Sequence, residues 1–277
     1  MTASQALRDA VPVLRAAGVA DPPRDARLLL AHAMGVAADR LTLHLGDALT
    51  EAAAARFATS IAARAARQPV SQITGQRLFW GRGFAVTPDV LDPRPETETL
   101  IARALAEPFA SVLDLGTGSG CILLTLLLER PTAQGVGTDL SDAALRVAGA
   151  NRQALGVAGA DLLQGDWYGP VTGRHDLIVS NPPYLAAAEM AGLSPDVRDW
   201  EPAMALTPGE DGMDAYRAIC AGAMAHLAPG GRLMVEIGPT QGQAVAAMMQ
   251  AAGLAAVAIH PDLDGRDRVV QGRRPRS

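Results

Sequence analysis

From Ser111 onward, short apolar strands alternate with helices, and this alternation constrains the fold more than any other feature of the chain. Buried strands joined by helices are typical of a parallel, doubly wound sheet. The predicted parallel strands cover residues 111–115, 134–139, 161–164, 176–180 and 231–237. Two further strands, at 255–260 and 268–271, flank a short turn at Asp264-Gly265 and predict an antiparallel edge. We therefore expect an α/β fold with a doubly wound, mostly parallel, seven-stranded sheet.

The part of the chain before this sheet divides into two further segments. Residues 1–72 carry apolar side chains at helical spacing, beginning with Leu7, Val11 and Leu14, and predict a small helical bundle. Residues 73–92 are rich in strand formers and are interrupted by glycines, which predicts a β-hairpin. The predicted order is a helical N-terminal domain at 1–72, a hairpin linker at 73–92 and an α/β domain at 93–277.

Charge and composition argue against several classes of protein. The formal net charge over 277 residues is −5, whereas a protein that grips bare nucleic acid usually carries a basic surface. No apolar run reaches the roughly 18 residues of a membrane span, and the N-terminus has no apolar signal core. Two cysteines and five scattered histidines indicate neither a disulfide framework nor a metal site. We expect a reduced, cytoplasmic setting without metal or membrane.

A glycine-rich loop, Asp114-Leu115-Gly116-Thr117-Gly118-Ser119-Gly120, follows the first strand of the predicted sheet. Glycines at a strand-to-helix turn let the backbone approach a ligand closely, and ligands of such sheets bind at the carboxyl ends of strands. The spacing G-x-G-x-G differs from the dinucleotide fingerprint G-x-G-x-x-G. The chain also lacks the Gly-Lys-Ser/Thr sequence of a nucleotide-phosphate loop. We expect a cofactor to contact Gly116, Thr117, Gly118, Ser119 and Gly120.

Acidic residues after the next two strands fit the same cofactor. Asp139 ends the second strand, where a carboxylate can accept hydrogen bonds from both hydroxyls of a ribose. Asp166 and Trp167 follow the third strand, where an acid could accept from an adenine amino group and a ring could stack on the base. A ribose does not distinguish NAD from S-adenosylmethionine, so these residues leave both cofactors open.

The loop Ser180-Asn181-Pro182-Pro183-Tyr184 after the fourth strand favours S-adenosylmethionine. Two prolines provide no N–H donors and hold the backbone extended, so the carbonyls and the Asn181 side chain serve as acceptors. Asn181 Oδ1 and the Pro182 carbonyl can together hold both hydrogens of a planar NH2 group, with Tyr184 packed on it. This arrangement would hold the nitrogen in line with a methylsulfonium carbon and would act mainly on the transition state.

The loop chemistry leaves two kinds of NH2 group open, because the exocyclic amine of adenine and a protein side-chain amide present the same two donors. Enzymes that flip a base out of a duplex need a basic groove. Residues 1–72 contain 8 Arg against 6 Asp and Glu, which is nearly neutral. The charge therefore favours a protein as the substrate.

Along nearly its whole length the sequence resembles the PrmC/HemK family, whose members methylate the glutamine side-chain nitrogen in the Gly-Gly-Gln motif of class I peptide-chain release factors. The resemblance implies S-adenosyl-L-methionine as cofactor and the class I S-adenosylmethionine-dependent methyltransferase fold behind a helical-bundle domain. Besides the two loops above, it rests on Gln72-Ile73-Thr74-Gly75, Pro93-Arg94-Pro95-Glu96-Thr97-Glu98, Glu201-Pro202 with Ala205-Leu206, Gly209-Glu210-Asp211-Gly212, Glu236-Ile237-Gly238 and Gly265-Arg266-Asp267-Arg268.

The resemblance also implies roles for individual residues. Gly116 to Gly120, Asp139 and Asn181 would contact the cofactor, with Asp166 and Trp167 beside them, while Asn181 to Tyr184 would hold the glutamine amide. It further implies a release factor as partner, a role in translation termination and a monomeric enzyme. An N6-adenine methyltransferase acting on DNA or RNA, and a glutamine methyltransferase of a ribosomal protein, stay open as alternatives.

One position departs from the family pattern. The family commonly has Ile or Val before Pro-Arg-Pro, whereas this chain has Leu91-Asp92. The sequence offers no account of this charge.

Overall fold

The computed structural model describes residues 1–276. None of its described helices has the length and apolarity that crossing a membrane requires. The strands are β1 (Gln76–Phe79), β2 (Arg82–Ala85), β3 (Ser111–Leu115), β4 (Gln134–Asp139), β5 (Ala160–Gln164), β6 (His175–Ser180), β7 (Leu227–Glu236), β8 (Ala255–Pro261) and β9 (Asp267–Arg273). The α-helices are α1 (Ala3–Ala16), α2 (Pro22–Met34), α3 (Glu51–Ala65), α4 (Val70–Thr74), α5 (Glu98–Leu105), α6 (Cys121–Glu129), α7 (Asp142–Leu155), α8 (Pro195–Arg198), α9 (Ala203–Leu206), α10 (Asp214–His226) and α11 (Gly242–Ala251).

Contacts within the described chain separate two compact units. The first consists of Met1–Gln76 together with Ser194–Trp200, and the second of Arg77–Leu193 together with Glu201–Ser277. The segment Ser194–Trp200 therefore belongs to the helical unit, although in the sequence it interrupts the α/β part. The proposed boundaries at residues 72 and 92 remain a prediction.

The first unit is a helical bundle whose helices begin where the local sequence provides caps. Thr2 and Gln5 form a capping box at the start of α1, and Asp21 accepts from the Arg24 N–H at the start of α2, where two prolines occupy the first turn. Gly35, whose φ of 70° suits glycine, caps the C-terminal end of α2. The apolar core of this helical unit includes Leu14, Leu29, Leu30, Leu41 and Phe57.

A buried ion cluster joins the inserted segment to the helices within this unit. Arg64, which is 5% exposed, donates from Nε to Asp25 Oδ2 at 2.7 Å and from Nη2 to Asp196 Oδ2 at 2.8 Å. Arg67 also donates to Asp196. Two carboxylates thus satisfy a guanidinium that has almost no access to water.

Replacing Asp25 with alanine should destabilise the helical unit by about 3 kcal/mol, because removing one partner of a buried ion pair leaves the other charge poorly compensated. The change should appear in native-state hydrogen exchange as faster exchange of the α3 amides. Asp9→Ala, an exposed acid on α1, provides the control and should leave these rates unchanged. If the α3 amides were equally protected from exchange in Asp25→Ala and in the wild type, this account of Arg64 would be contradicted.

The second unit contains the predicted seven-stranded sheet, with strand order β5-β4-β3-β6-β7-β9-β8. Neighbouring strands from β5 to β7 run parallel, whereas β9 pairs antiparallel with both β7 and β8. The prediction of a mostly parallel sheet with an antiparallel edge is confirmed. Successive side chains alternate between two cores: Leu177 and Val179 pack in one, and Ile178 between them packs in the other.

The observed elements differ from the predicted ones mainly at their ends and in one region. Strand β7 begins at Leu227 instead of 231, and α10 begins at Asp214 instead of 211. Between the motif loop and α10, where no element was predicted, the chain forms three short helical stretches, 187–192, 195–198 and 203–206. Single helical turns are too short to show an apolar period, which explains why they were missed.

Candidate active site

A cleft in the second unit opens at the carboxyl ends of β3, β4 and β6. Its volume is about 1030 Å³ when the open mouth is counted. The sheet brings residues that end or follow four strands, β3 to β6, to this one place, since parallel strands all present their carboxyl ends at the same edge. The predicted site residues that line it are Gly116, Thr117, Gly118, Ser119, Asp139, Asp166, Trp167, Asn181 and Pro183.

The glycine-rich loop needs its glycines for two separate reasons. Gly116, Gly118 and Gly120 have φ values of 70°, 54° and 78°, a left-handed region that is costly for residues with a Cβ. A Cβ at Gly120 would also lie 3.0 Å from Leu124 Cδ1 and 3.3 Å from Ala148 Cβ. Gly120 therefore supports the loop from the side of the core, while Gly116 and Gly118 face the cleft.

Asp139 ends β4 opposite this loop. Its Oδ2 accepts the Gly118 N–H at 2.9 Å, and its Oδ1 accepts the Ser141 N–H at 2.9 Å. Both oxygens are thereby oriented by the backbone, and each retains a lone pair for a further donor. A fixed carboxylate on the cleft wall is suited to accept the two hydroxyls of a ribose.

Asp166 and Trp167 lie in a turn after β5, on the wall of the same cleft. The Gly169 N–H donates to the Asp166 carbonyl at 2.8 Å and closes the turn. Trp167 adopts a φ of 45°, which is unusual for a bulky residue and concentrates at functional sites. A Cβ on Gly116 would lie 3.8 Å from the Trp167 ring, so the indole stands beside the glycine loop.

The four residues of the motif loop are placed differently. Asn181 and Pro183 line the cleft, and Pro182 is buried. Tyr184 is half-buried against the apolar cluster on one face of the sheet, and its carbonyl accepts from Gln241 Nε2 at 2.8 Å. Burial raises the pKa of the Tyr184 hydroxyl, which keeps it neutral at ordinary pH.

Several cleft residues were not singled out as site residues by the sequence analysis, although they lie in stretches that carried the family resemblance. Arg94 and Thr97 line the cleft, and Arg94 Nη2 lies 2.7 Å from both carboxylate oxygens of Glu201. Burial raises the pKa of Glu201 to about 7. Asp92, the residue that departs from the family pattern, is buried with Oδ2 3.5 Å from Arg77 Nη1, so its charge has a partner.

The residues of this cleft fit S-adenosylmethionine. The left-handed glycine backbone leaves room for close approach, Asp139 offers two oriented acceptors and Trp167 offers an aromatic face. Within residues 1–276, no group of three or more His, Cys, Asp or Glu side chains is arranged to hold a metal ion. The glycine backbone, the Asp139 carboxylate and the Trp167 ring are suited to an adenosine-containing ligand.

Asp114, at the start of the glycine loop, is fully buried in the sheet. The Thr117 hydroxyl donates to its Oδ2 at 2.7 Å, while its Oδ1 has no hydrogen-bond partner among the described residues. Burial raises the pKa of Asp114 to about 7, against the usual value of about 3.9. The folded protein therefore holds this proton more tightly than the unfolded chain does, and ionisation of Asp114 destabilises the fold as the pH rises towards 7.

Asp114→Asn removes this titration. The free energy of unfolding of the variant should therefore increase relative to that of the wild type as the pH rises. Between about pH 5 and pH 8 the relative gain should be on the order of 3 kcal/mol. Urea unfolding of the cofactor-free protein at both pH values measures it. Asp142→Asn, an exposed acid at the start of α7, is the matched control and should follow the wild type. A pH-independent difference for Asp114→Asn would contradict the buried, protonated carboxyl.

Comparison with known proteins agrees with this architecture. Residues 5–75 match the family described as PrmC N-terminal domain, and residues 92–193 match the family described as methyltransferase small domain. Among solved structures, a methyltransferase from Pyrococcus furiosus has a TM-score of 0.56 at 16% identity and covers 71% of this chain and 91% of its own. The T. thermophilus 16S rRNA N2 G1207 methyltransferase in complex with AdoMet and guanosine has a TM-score of 0.52 at 21% identity, covering 72% of this chain and 49% of its own. These structures share the fold.

Curated relatives are similar over nearly the full length of the chain. A release factor glutamine methyltransferase from Cereibacter sphaeroides is 65% identical over 276 residues, which is 99% of each chain. Proteins of the same name from Rhodospirillum rubrum and Moorella thermoacetica are 45% and 44% identical and cover 94% and 97% of this chain, and 82% and 97% of their own. This chain therefore belongs to the family of release factor glutamine methyltransferases.

Proposed function

We propose that this protein transfers a methyl group from S-adenosylmethionine to the side-chain N5 of the glutamine in the Gly-Gly-Gln motif of class I peptide-chain release factors, and thereby modulates translation termination. The observation that carries the proposal is the cleft, which Asn181 lines together with the glycine loop and Asp139. The full-length similarity to release factor glutamine methyltransferases supports the choice of substrate.

The cofactor would be held by residues from three strand ends. The glycine loop would contact it through backbone groups, Asp139 would accept from the ribose hydroxyls, and Asp166 and Trp167 would flank the adenine. When bound, S-adenosylmethionine supplies an electrophilic methyl group on a sulfonium sulfur. The carboxylate of Asp139 makes charge-assisted hydrogen bonds, which are stronger than neutral ones.

The substrate amide would be held by the motif loop. Asn181 Oδ1 and the Pro182 carbonyl would each accept one N–H of the glutamine NH2 group, with Pro183 and Tyr184 completing the loop. An amide nitrogen is a poor nucleophile because its lone pair is delocalised. Holding both N–H bonds away from the amide plane stabilises the transition state more than the ground state, and fixing the nitrogen adds the proximity effect.

No general base is needed before the N–C bond forms. The bond between the methyl carbon and sulfur would break at the same time, and its electron pair would stay on sulfur as a neutral thioether. The nitrogen would then be positively charged and would readily lose a proton to water. Asn181 and Pro182 accept hydrogen bonds from the N–H groups throughout, so they oppose the growing positive charge with oriented dipoles. The chemistry that this chain supplies is therefore positioning and electrostatics.

The helical domain, residues 1–72, is proposed to dock the release factor. Its nearly neutral charge, with 8 Arg against 6 acidic residues, suits a protein surface better than a nucleic acid. We further propose that the enzyme is a monomer that works in the cytoplasm without direct nucleic-acid contacts. The near full-length similarity of this chain to curated release factor glutamine methyltransferases favours this function over adenine or ribosomal-protein methylation.

Incubation with labelled S-adenosylmethionine and either a release factor or DNA tests the substrate. We expect label on the release factor and none on DNA. A release factor whose motif glutamine is replaced by alanine is the control and should remain unlabelled. Label on adenine, or label that persists on the alanine variant, would overturn the proposal.

A further inference from the structure

Arg94 is the single cation among the described residues that line the cofactor cleft. The acidic residues that line it are Asp89, Asp139 and Asp166, and no lysine or histidine accompanies them there. The Arg94 side chain is 33% exposed, so part of it is accessible to a ligand. Neither the proposed ribose contact nor the proposed adenine contact requires a cation, which leaves Arg94 without a role in them.

The backbone at Arg94 is held in one conformation. Pro93 precedes it and Pro95 follows it, and Arg94 is extended with φ of −95° and ψ of 142°, as is favoured for a residue before proline. Its carbonyl accepts the Thr97 N–H at 3.1 Å, and the Thr97 hydroxyl in turn accepts from Asn181 Nδ2 at 3.2 Å. Arg94 is therefore fixed on the side of the cleft that also holds Asn181.

A buried carboxylate orients the Arg94 guanidinium. Nη2 donates to both oxygens of Glu201 at 2.7 Å, and the Glu201 side chain is only 1% exposed. Within residues 1–276, Nε and Nη1 of Arg94 donate to no acceptor. One nitrogen of the guanidinium thus anchors it, and the remaining N–H groups are available to a ligand.

S-adenosylmethionine carries one group that aspartates cannot hold. Its methionine part ends in an ammonium and a carboxylate, and both are charged near neutral pH. Because like charges repel, a carboxylate in a cleft lined by three aspartates needs a cation beside it. A short aliphatic chain joins this carboxylate to the sulfonium sulfur, so it would lie near the proposed place of methyl transfer beside Asn181.

We propose that Arg94 binds the carboxylate of the methionine part of the cofactor, and that Glu201 is a positioning residue that directs Arg94 towards it. A guanidinium suits this task, because it can bind Glu201 through one nitrogen and a second carboxylate through the others. The proposal rests on S-adenosylmethionine as the cofactor and not on the identity of the methylated substrate.

Two ligands isolate the carboxylate. S-adenosylhomocysteine retains it, whereas decarboxylated S-adenosylhomocysteine has hydrogen in its place and keeps the ammonium, the ribose and the adenine. Calorimetric titration measures the dissociation constants of both ligands without a protein substrate and without turnover. A failure of this proposal is therefore distinguishable from a failure of the proposed glutamine methylation.

Arg94→Met removes the guanidinium and keeps an unbranched side chain. The dissociation constant of S-adenosylhomocysteine should rise by about 10- to 100-fold, as expected for lost hydrogen bonds between charged groups. The dissociation constant of the decarboxylated ligand should not rise by more than about threefold, because it has no carboxylate to lose. Arg146→Met is the matched control, since Arg146 is an exposed arginine on α7 that does not line the cleft, and both dissociation constants should stay unchanged.

Arg94→Met leaves the buried Glu201 carboxylate without its partner, which could destabilise the protein. A second comparison avoids this, because Glu201→Gln and the double variant Glu201→Gln with Arg94→Met both lack the carboxylate. The same selective loss of affinity for S-adenosylhomocysteine should separate these two variants. An equal loss for both ligands would mean that Arg94 acts on the shape of the cleft, and no loss for either would mean that it does not contact the carboxylate. A raised KM for the release factor with unchanged affinity for S-adenosylhomocysteine would assign Arg94 to the substrate, and each of these three results would overturn the proposal.

Discussion

Asn181→Ala is expected to lower kcat for release-factor methylation by about 10³-fold, while the cofactor dissociation constant stays within about tenfold of the wild type. The variant removes the acceptor proposed to hold one substrate N–H bond in the transition state. The glycine loop and Asp139 remain, and they supply most of the proposed cofactor contacts. Single-turnover kinetics and calorimetric titration with S-adenosylhomocysteine measure the two quantities separately.

Cofactor binding in the same variant also reports whether its fold is intact. An equal loss of turnover and cofactor affinity would mean that Asn181 mainly supports the cofactor. Unchanged turnover would mean that the loop does not hold the reacting group. A selective loss of turnover is the result that the proposed mechanism requires.

Asp139→Asn should raise the cofactor dissociation constant by about 100-fold, since two charge-assisted hydrogen bonds to the ribose are weakened. The carboxylate also accepts the Gly118 and Ser141 N–H groups at 2.9 Å. An asparagine has only one side-chain oxygen, so it can accept a hydrogen bond from only one of these N–H groups. Its own NH2 group would then face the other N–H. Calorimetry with S-adenosylhomocysteine measures the loss, and saturating cofactor should restore much of kcat.

Asp142→Asn is the matched control, since Asp142 lies three residues further along the chain and is exposed beside Arg146. Its cofactor affinity should equal that of the wild type. A similar loss in Asp142→Asn would point to the general charge of this region. Full affinity in Asp139→Asn would remove Asp139 from the proposed cofactor site.

Strands such as Ser111–Leu115 and His175–Ser180 were predictable because they are short, mostly apolar segments followed closely by glycine or proline. Ser111–Leu115 and Gln134–Asp139 were predicted with the observed bounds. The glycines of the loop were predicted to let a ligand approach the backbone closely, and the structure adds that Gly116, Gly118 and Gly120 have positive φ. Parallel strand order then places the ends of β3, β4 and β6 side by side, which explains why motifs far apart in the sequence meet in one cleft.

Contacts between distant segments were not predictable in the same way. Asp196 lies in a short helical turn without periodic pattern, and its pairing with Arg64 and Arg67 depends on tertiary placement. Thr97 lies in a stretch that carried the family resemblance, but one sequence does not show that its hydroxyl accepts a hydrogen bond from Asn181 Nδ2. Local pattern identifies which residues can do chemistry, and the fold determines which of them touch.

The most direct test of the central claim is tandem mass spectrometry of a release factor after incubation with this enzyme and a deuterium-labelled methyl donor. The account predicts one labelled methyl group on the side chain of the Gly-Gly-Gln glutamine with the wild-type enzyme, and almost none with Asn181→Ala. A methyl group on another residue, or an unmethylated glutamine with active wild-type enzyme, would contradict it.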